Sequence, residues 1–144
     1  MKSSRLLAVF AVASAALLLL AIDPVISTLD SPKWEVWTVD EKGQPLPGMT
    51  VRLNWRNYSL ETDDHTEDRL TDQNGYVIFP AKMLKVSLRR RLMGLVWLIP
   101  LNIHDSSGPH AFVFAFGNGL EALGGTADQW NGRPNHMQSR LIAK

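Results

Sequence analysis

Two histidines and an aspartate lie close together in the segment His104-Asp105-Ser106-Ser107-Gly108-Pro109-His110. Two imidazoles and a carboxylate can hold zinc with one coordination position open. The Gly-Pro pair between the histidines does not fix their geometry, and neither His65 nor His136 is placed by its neighbours to join them. We therefore expect hydrogen bonding within a polar loop, with a metal-dependent site as the alternative interpretation.

Ser106 and Ser107 beside His104 raise a second interpretation, a hydrolytic site. The nucleophilic serine of an α/β hydrolase lies in a G-x-S-x-G turn before a helix, and the sequence has no such motif. It also lacks cysteine, which excludes thiol nucleophiles, thiolate metal ligands and disulfides. Residues 61–68 are acidic but lack the order of an EF-hand loop, so we predict a solvated loop or exposed edge there. We predict that the protein is not an enzyme and uses no metal or other cofactor.

Tryptophan offers binding contacts, because its ring buries a large area with little loss of conformational entropy. The chain contains five, namely Trp34, Trp37, Trp55, Trp97 and Trp130. Trp130 lies in a polar, glycine-rich segment, and we predict that it is exposed and binds a protein or glycan partner. Trp55 alternates with polar residues, so we predict that it belongs to the core.

A basic and apolar run is a second candidate binding surface. Residues 82–91 carry five basic residues in ten, and residues 92–103 form an apolar run interrupted by a glycine and a proline. The apolar run is too short to span a bilayer. We expect it to form buried core or a short helix that covers an open end of the fold. The alternative is a lipid-surface site, in which Arg89, Arg90 and Arg91 bind lipid headgroups and the ring of Trp97 inserts into the membrane surface.

Alternation of apolar and polar residues predicts the strands that position these side chains. The clearest strand places Met49, Val51, Leu53 and Trp55 on one face and polar residues on the other. Further strands are predicted at residues 34–39, 76–79, 84–89, 111–116 and 136–143. An Asn-Gly pair at residues 74–75 predicts a tight hairpin turn.

The N-terminal segment has the composition of a membrane-targeting helix. Two basic residues precede seventeen uncharged residues, 6–22, and Asp23 with Pro24 closes the run. This order of charges predicts that the chain after the helix lies outside the cytoplasm, in the periplasm or the extracellular space. We expect residues 1–24 to be an uncleaved signal anchor of a single-pass membrane protein. The alternative is a cleaved signal peptide, which would give a secreted protein.

The rest of the chain has room for one domain of ordinary size. Residues 25–33 are short, polar and interrupted by Pro32, and we expect them to be a tether. Residues 34–144 would then form the folded domain. The net charge of +1 gives no overall field that attracts nucleic acid, so no nucleic-acid partner is expected.

Residues 34–80 also carry a family resemblance. The turn and strand-entry residues are Asp40, Gly43, Pro45, Leu46, Pro47, Gly48 and Val51, followed by T-D-x-N-G-Y-x-x-F at residues 71–79. This order resembles the carboxypeptidase regulatory-like domains of the transthyretin-like group. The resemblance implies an all-β, antiparallel Ig-like or transthyretin-like β-sandwich of about seven strands, preceded here by one hydrophobic helix. It implies no catalytic residue, and such domains are typically accessory modules of exported proteins.

Together these patterns predict a noncatalytic, membrane-anchored or exported module that contacts a protein or glycan of the cell envelope. The predicted membrane contact is the N-terminal helix. One alternative is a metal-dependent or hydrolytic module that uses residues 104–110. Another is a structural spacer or a lipid-surface module that uses residues 89–97.

Overall fold

The computed structural model describes residues 2–101, 107–117, 119–123 and 128–144. The secondary structure is mostly β, as predicted, with a long N-terminal helix and a shorter helix in the second half. In chain order the elements are α1 (Lys2–Ile22), β1 (Val25–Ser31), β2 (Lys33–Val39), β3 (Thr50–Asn57), β4 (His65–Leu70), β5 (Tyr76–Phe79), β6 (Lys82–Ser87), α2 (Leu88–Leu101), β7 (Pro109–Gly117), β8 (Leu120–Leu123), β9 (Gln129–Trp130) and β10 (His136–Ile142).

The described strands form three sheets. A two-stranded sheet pairs β1 with β6, a three-stranded sheet has the order β10-β2-β5, and a five-stranded sheet has the order β4-β3-β7-β8 with β9 also paired to β7. Within the described residues the pairs are antiparallel except that of β10 with β2, which is parallel. The purely antiparallel pairing expected from the sequence is therefore wrong for β10, because this strand runs in the same direction as β2.

Alternating side chains explain how the larger sheets meet. In β3, Val51 and Leu53 are buried while Arg52 and Asn54 between them are partly exposed, which confirms the predicted alternation. Buried residues of the three-stranded and five-stranded sheets form one hydrophobic cluster. Its members are Trp34, Val36, Met49, Val51, Leu53, Val77, Phe79, Ala111, Val113, Ala115, Trp130, Leu141 and Ala143.

The turn before β5 shows what the spacing of Asp72 and Gly75 does physically. The Asp72 Oδ1 atom accepts hydrogen bonds from the backbone N–H groups of Asn74 at 2.8 Å and Tyr76 at 2.9 Å. Gly75 has a φ of +68°, and a Cβ atom there would lie 2.5 Å from the carbonyl oxygen of Thr38. Glycine is therefore required by both conformation and space. The predicted turn is present, but it does not form a hairpin, because β4 and β5 belong to different sheets.

Residues 25–33, expected to be a tether, contain a strand instead. β1 pairs with β6 in an antiparallel register that places Val25 opposite Ser87. Asp30 and Ser31 are buried although both are polar. Ser31 pairs with Lys82 of β6, whereas Asp30 lies at an irregularity in the register between Leu29 and Ser31, so polar side chains did not prevent strand formation. Ordered structure therefore begins before Trp34.

Helix α2 follows β6 without an intervening loop. The Ser87 hydroxyl accepts a hydrogen bond from the backbone N–H of Arg90 at 3.3 Å, which is the contact of a helix N-cap. The strand predicted at residues 84–89 consequently ends at Ser87. Of the structures expected for the apolar run, the short helix is confirmed.

The apolar side chains of helix α1 are exposed to the surroundings from Leu7 to Leu19. The helix ends where the backbone N–H of Asp23 donates to the carbonyl oxygen of Leu19 at 3.0 Å. Within the described residues, no helix combines the length and the apolar character needed to cross a membrane.

Candidate functional site

A row of phenylalanines lies on the outer side of the five-stranded sheet. The core-facing residues of β7 are Ala111, Val113 and Ala115, all of them buried. Side chains alternate along a strand, so the residues between them lie on the opposite side. These residues are Phe112, Phe114 and Phe116.

The neighbouring strand β3 places polar and cationic side chains beside these rings. The register aligns Arg52 with Phe114 and Asn54 with Phe112. We call this surface the aromatic face and define it as Arg52, Asn54, Arg56, Phe112, Phe114 and Phe116. The ring centroids of Phe112 and Phe114 are 6.2 Å apart, and those of Phe114 and Phe116 are 5.9 Å apart. Phe112 remains 45% exposed, so its ring can accept a further partner.

Arg52 is held across the rings by an acidic partner. Its guanidinium carbon lies 5.2 Å from the ring centre of Phe116, within the range of a cation–π contact. Two hydrogen bonds join Arg52 to Asp68, from Nε to Oδ1 at 2.7 Å and from Nη2 to Oδ2 at 2.6 Å. These hydrogen bonds hold the pKa of the Asp68 carboxyl below its usual range and raise the pKa of Arg52. Both groups stay ionised at neutral pH and neutralise each other.

The opposite end of the aromatic face is built around Tyr58. The guanidinium carbon of Arg56 lies 4.9 Å from the Tyr58 ring centre, and His110 meets the same ring edge-on at 5.1 Å. Arg56 is also paired with Asp64 at 3.4 Å. The Tyr58 backbone N–H donates to the carbonyl oxygen of Gly108 at 2.9 Å, which fixes this end of the sheet.

Shallow cavities run along the aromatic face. One of about 300 Å³ and another of about 410 Å³ share Tyr58, His110 and Phe112 in their walls. A third, of about 290 Å³, shares Arg52 with the first and is lined by Phe114, Phe116 and Glu121. Such volumes lie at the low end of ligand-binding pockets. Because the cavities share walls, together they fit an elongated ligand better than a compact one.

Trp130, predicted to be exposed, is buried. It is 1% exposed, belongs to the core cluster, and lies opposite Ala111 in the pairing of β9 with β7. Its indole N–H donates to the carbonyl oxygen of Pro134 at 2.6 Å, so burial leaves no unsatisfied donor. The expectation of an exposed ring is therefore wrong, although Trp130 and its neighbours Gln129 and Asn131 contribute to the wall of one surface cavity.

The predicted basic residues lie at the start of α2, and none of them lines a cavity of the aromatic face. Arg89 contacts the end of α1, where its Nη2 donates to the Leu20 carbonyl oxygen at 2.8 Å. Arg90 donates from Nη2 to the Leu60 carbonyl oxygen at 2.8 Å. Arg91 differs from both, because its Nε and Nη2 atoms are buried without a hydrogen-bond partner. Trp97 lies in α2, and its side chain is outside the described residues.

The histidine-rich loop is only partly described. His104, Asp105 and Ser106 lie outside the described residues, whereas His110 is part of the Tyr58 end of the aromatic face. Each of the two remaining histidines contacts a carboxylate: His65 contacts Glu61 at 2.8 Å, and His136 contacts Glu35 at 3.3 Å. No group of three potential metal ligands is found among the residues that the structure describes.

Sequence reasoning missed a buried carboxyl group. Asp30 in β1 is only 3% exposed, and its Oδ1 has no hydrogen-bond partner. Burial, and after it the nearby Glu61 carboxylate, raises the pKa of Asp30 to about 6, against the opposing effects of His65 and Asn57. No cavity of the aromatic face includes Asp30 or Glu61 in its walls. The Asp30 carboxyl group therefore affects the stability of the fold and is not part of the candidate site.

Comparisons with known proteins add little to this geometry. No protein-family model matches the chain, and the search of curated proteins found no match. A mutant catechol 1,2 dioxygenase from Acinetobacter radioresistens is similar over 80% of this chain and 52% of its own, with 15% identity and a TM-score of 0.47. A 9R-lipoxygenase from Cyanothece PCC8801 is similar over 97% of this chain and 24% of its own, with 14% identity and a TM-score of 0.32. The chain thus spans about half of the first structure and a quarter of the second, and at these scores neither supports an assignment.

Proposed function

We propose that this chain is a noncatalytic, membrane-associated β-sandwich module that binds a neutral glycan of the cell envelope on its aromatic face. The observation that carries the glycan assignment is the row of phenylalanine rings beside polar side chains in adjoining cavities. The module class follows from the resemblance to carboxypeptidase regulatory-like domains. Its support is the single core that the three-stranded and five-stranded sheets share.

Ring stacking is the first argument for a sugar ligand. The apolar side of a pyranose can pack on an aromatic ring, which loses little conformational entropy on binding. Phe112 offers an exposed ring next to polar groups, because Asn54, Thr66 and Gln129 line the same cavities. Amide and hydroxyl groups can donate to and accept from sugar hydroxyls. Few convergent polar groups around apolar walls are typical of small-molecule and cofactor sites.

Charge pairing is the second argument. Arg52 is neutralised by Asp68, and Arg56 is paired with Asp64, so the face offers no concentrated positive field. A strongly anionic polymer would gain little there, since binding of such polymers depends on unpaired cations. The affinity for a neutral glycan is not reduced by this charge pairing, and the elongated row of cavities matches the shape of such a polymer.

Membrane association is supported by α1. Its exposed residues include Leu7, Val12, Leu17 and Leu18, and burial of such side chains in an apolar environment is favourable. The order of charges in the sequence supports a position of the module outside the cytoplasm. We therefore place the aromatic face in the periplasm or at the cell exterior.

The glycan proposal is tested with the full chain in detergent micelles. Soluble neutral oligosaccharides of increasing length are titrated into the protein by calorimetry. Phe112→Ala should weaken binding about fivefold, because one stacked ring contributes on the order of 1 kcal/mol. Longer oligosaccharides should bind more tightly until the row of cavities is filled.

Ile142→Ala is the matched control, since Ile142 is an apolar side chain of similar exposure on β10. It should leave the affinity unchanged. Equal affinities of the Phe112→Ala variant and the unaltered chain would overturn the proposal. Specific crosslinking of an envelope protein to position 112, without any oligosaccharide binding, would assign the face to a protein partner instead.

A further inference from the structure

The ends of α1 and α2 meet at one point of the molecule. The pairing of β1 with β6 returns the chain to the end of α1, because Ser87 lies opposite Val25. The backbone N–H of Leu88 then donates to the carbonyl oxygen of Pro24 at 2.9 Å. The backbone N–H of Arg89 donates to Asp23 Oδ1 at 2.8 Å. Helix α2 therefore begins where the exposed apolar helix ends.

One side of α2 is fixed against the domain. A Cβ atom at Gly94 would lie 2.5 Å from the carbonyl oxygen of Ser59, and Arg90 donates to the carbonyl oxygen of Leu60. The backbone of α2 thus lies directly on the loop between β3 and β4. This close approach requires glycine at position 94 and sets which side of the helix is covered.

The other side of α2 is apolar and uncovered. Leu92, Met93 and Val96 are 42%, 56% and 64% exposed, and they follow one another within about one helical turn. An exposed apolar patch on a helix marks a surface that is covered by a partner or by a membrane. The position of this patch next to α1 favours the membrane.

The charges at the start of α2 favour an anionic membrane. Arg89 and Arg90 are exposed, and their guanidinium groups donate to backbone carbonyl oxygens. Among the described residues neither guanidinium forms an ion pair with a carboxylate. Cationic side chains beside an apolar helix face are typical of helices that lie in the lipid headgroup region.

We infer that α2 is an interfacial helix that lays Leu92, Met93 and Val96 into the surface of an anionic bilayer, with Arg89 and Arg90 at the lipid phosphates. The inference rests on the proposed membrane association of α1. It adds a second contact, which would fix the orientation of the domain relative to the membrane. It does not depend on glycan binding.

The absence of cysteine makes site-specific labelling straightforward. Three variants of the full chain, Val12→Cys, Val96→Cys and Ile142→Cys, are spin-labelled and reconstituted into phosphatidylcholine vesicles with and without phosphatidylglycerol. Position 12 reports on α1 and position 96 on α2. Position 142 lies at the end of β10, opposite Val39, whereas the other end of the same pairing joins His136 to Lys33, two residues after β1. Accessibility to oxygen, which concentrates in lipid, is compared with accessibility to a water-soluble nickel chelate.

The expected result is high oxygen and several-fold lower nickel accessibility at positions 12 and 96, and the reverse at position 142. A label at 12 in lipid with a label at 96 as open to nickel as that at 142 overturns the inference and leaves the association of α1 intact. Low accessibility to both reagents at 96 would show a protein cover and also overturns it. A label at 12 in water would overturn both the inference and the association of α1.

The charge dependence gives a second test. Adding phosphatidylglycerol should raise the ratio of lipid-immersed to water-exposed label at position 96 about fivefold for each exposed arginine. The double substitution Arg89→Gln and Arg90→Gln should remove most of this dependence. Lys42→Gln, at the exposed turn after β2, removes a cation elsewhere and should leave it unchanged. Equal lipid dependence in both variants would contradict the assigned role of the arginines.

Discussion

Replacing Asp30 by asparagine should stabilise the folded chain at neutral pH. Asp30 is buried, and its Oδ1 has no hydrogen-bond partner. Burial and the Glu61 carboxylate raise its pKa from 3.8 to about 6. At pH 7 the group is ionised in a place that disfavours its charge, so the fold loses stability there. Asparagine has the same shape, carries no charge, and can donate to the Glu61 carboxylate.

The sign and size of the stabilisation expected for Asp30→Asn follow from proton linkage. The folded chain holds the Asp30 proton more tightly than the unfolded chain, so the two states differ in protonation between about pH 3.8 and pH 6. The free energy of unfolding falls by about 1.4 kcal/mol for each pH unit of rise within that window, and by about 3 kcal/mol in total. Asp30→Asn removes this loss. The variant should therefore gain about 3 kcal/mol at pH 7.5 and about half of that at pH 5.

The assay is urea unfolding of the full chain in detergent micelles at pH 5 and pH 7.5, followed by tryptophan fluorescence. Asp64→Asn is the control, because the Asp64 side chain is 70% exposed. Its effect should stay within about 0.5 kcal/mol at both pH values. A destabilised Asp30→Asn variant at pH 7.5, or an equal gain at both pH values, would refute the reasoning.

Two further pairs of substitutions test the fold. Gly75→Ala should lower the melting temperature more than Gly48→Ala: both glycines have positive φ, at +68° and +70°, but only at Gly75 would a Cβ atom meet the Thr38 carbonyl. We expect about 1 kcal/mol for Gly48→Ala and at least about 3 kcal/mol for Gly75→Ala, and equal shifts would contradict the steric argument. Ser139→Ala removes the acceptor of the buried Trp34 indole N–H, a hydrogen bond of 2.9 Å, and should cost about 1–3 kcal/mol in urea unfolding. If the losses of unfolding free energy caused by Ser139→Ala and Trp34→Phe simply add in the double variant, the two side chains are not coupled, which would contradict this assignment.

The sequence predicts the structure correctly where the residue pattern of a single strand decides which of its faces is buried. In β3 the polar residues Arg52 and Asn54 alternate with Val51 and Leu53, so only one arrangement buries the apolar side. The turn at Gly75 was also visible, since an Asn-Gly pair tolerates positive φ. Which strands that turn connects depends on the packing of two sheets, and local residues carry no information about it.

The aromatic face could not be predicted from the sequence, because β7 is apolar on both sides. Its alternation of small residues with phenylalanine defines two faces, and hydrophobicity alone assigns the larger rings to the core. The structure reverses this assignment, because Trp34, Phe79 and Trp130 already fill the core with fully buried rings. Interiors are close-packed, so small residues of β7 fit there and the phenylalanines remain outside.

Asp30 was missed for a related reason. A short polar segment with a proline has the composition of a tether, and its pairing with β6 brings together residues that are far apart in sequence. Trp130 is likewise buried where it pairs with Ala111, 19 residues earlier in the chain. Errors in the predicted site thus arose where pairing over long sequence separations decides burial.

The loop after β3 links the two proposed surfaces. Tyr58 lines two cavities of the aromatic face, while Ser59 and Leu60 support α2. The Tyr58 end of the face is therefore the end next to α2 and, by the inference above, next to the bilayer. β7 runs away from that end, from His110 towards Phe116. A glycan chain bound along β7 would consequently extend outward from the membrane surface, and an interfacial α2 would hold the aromatic face at a fixed height for it.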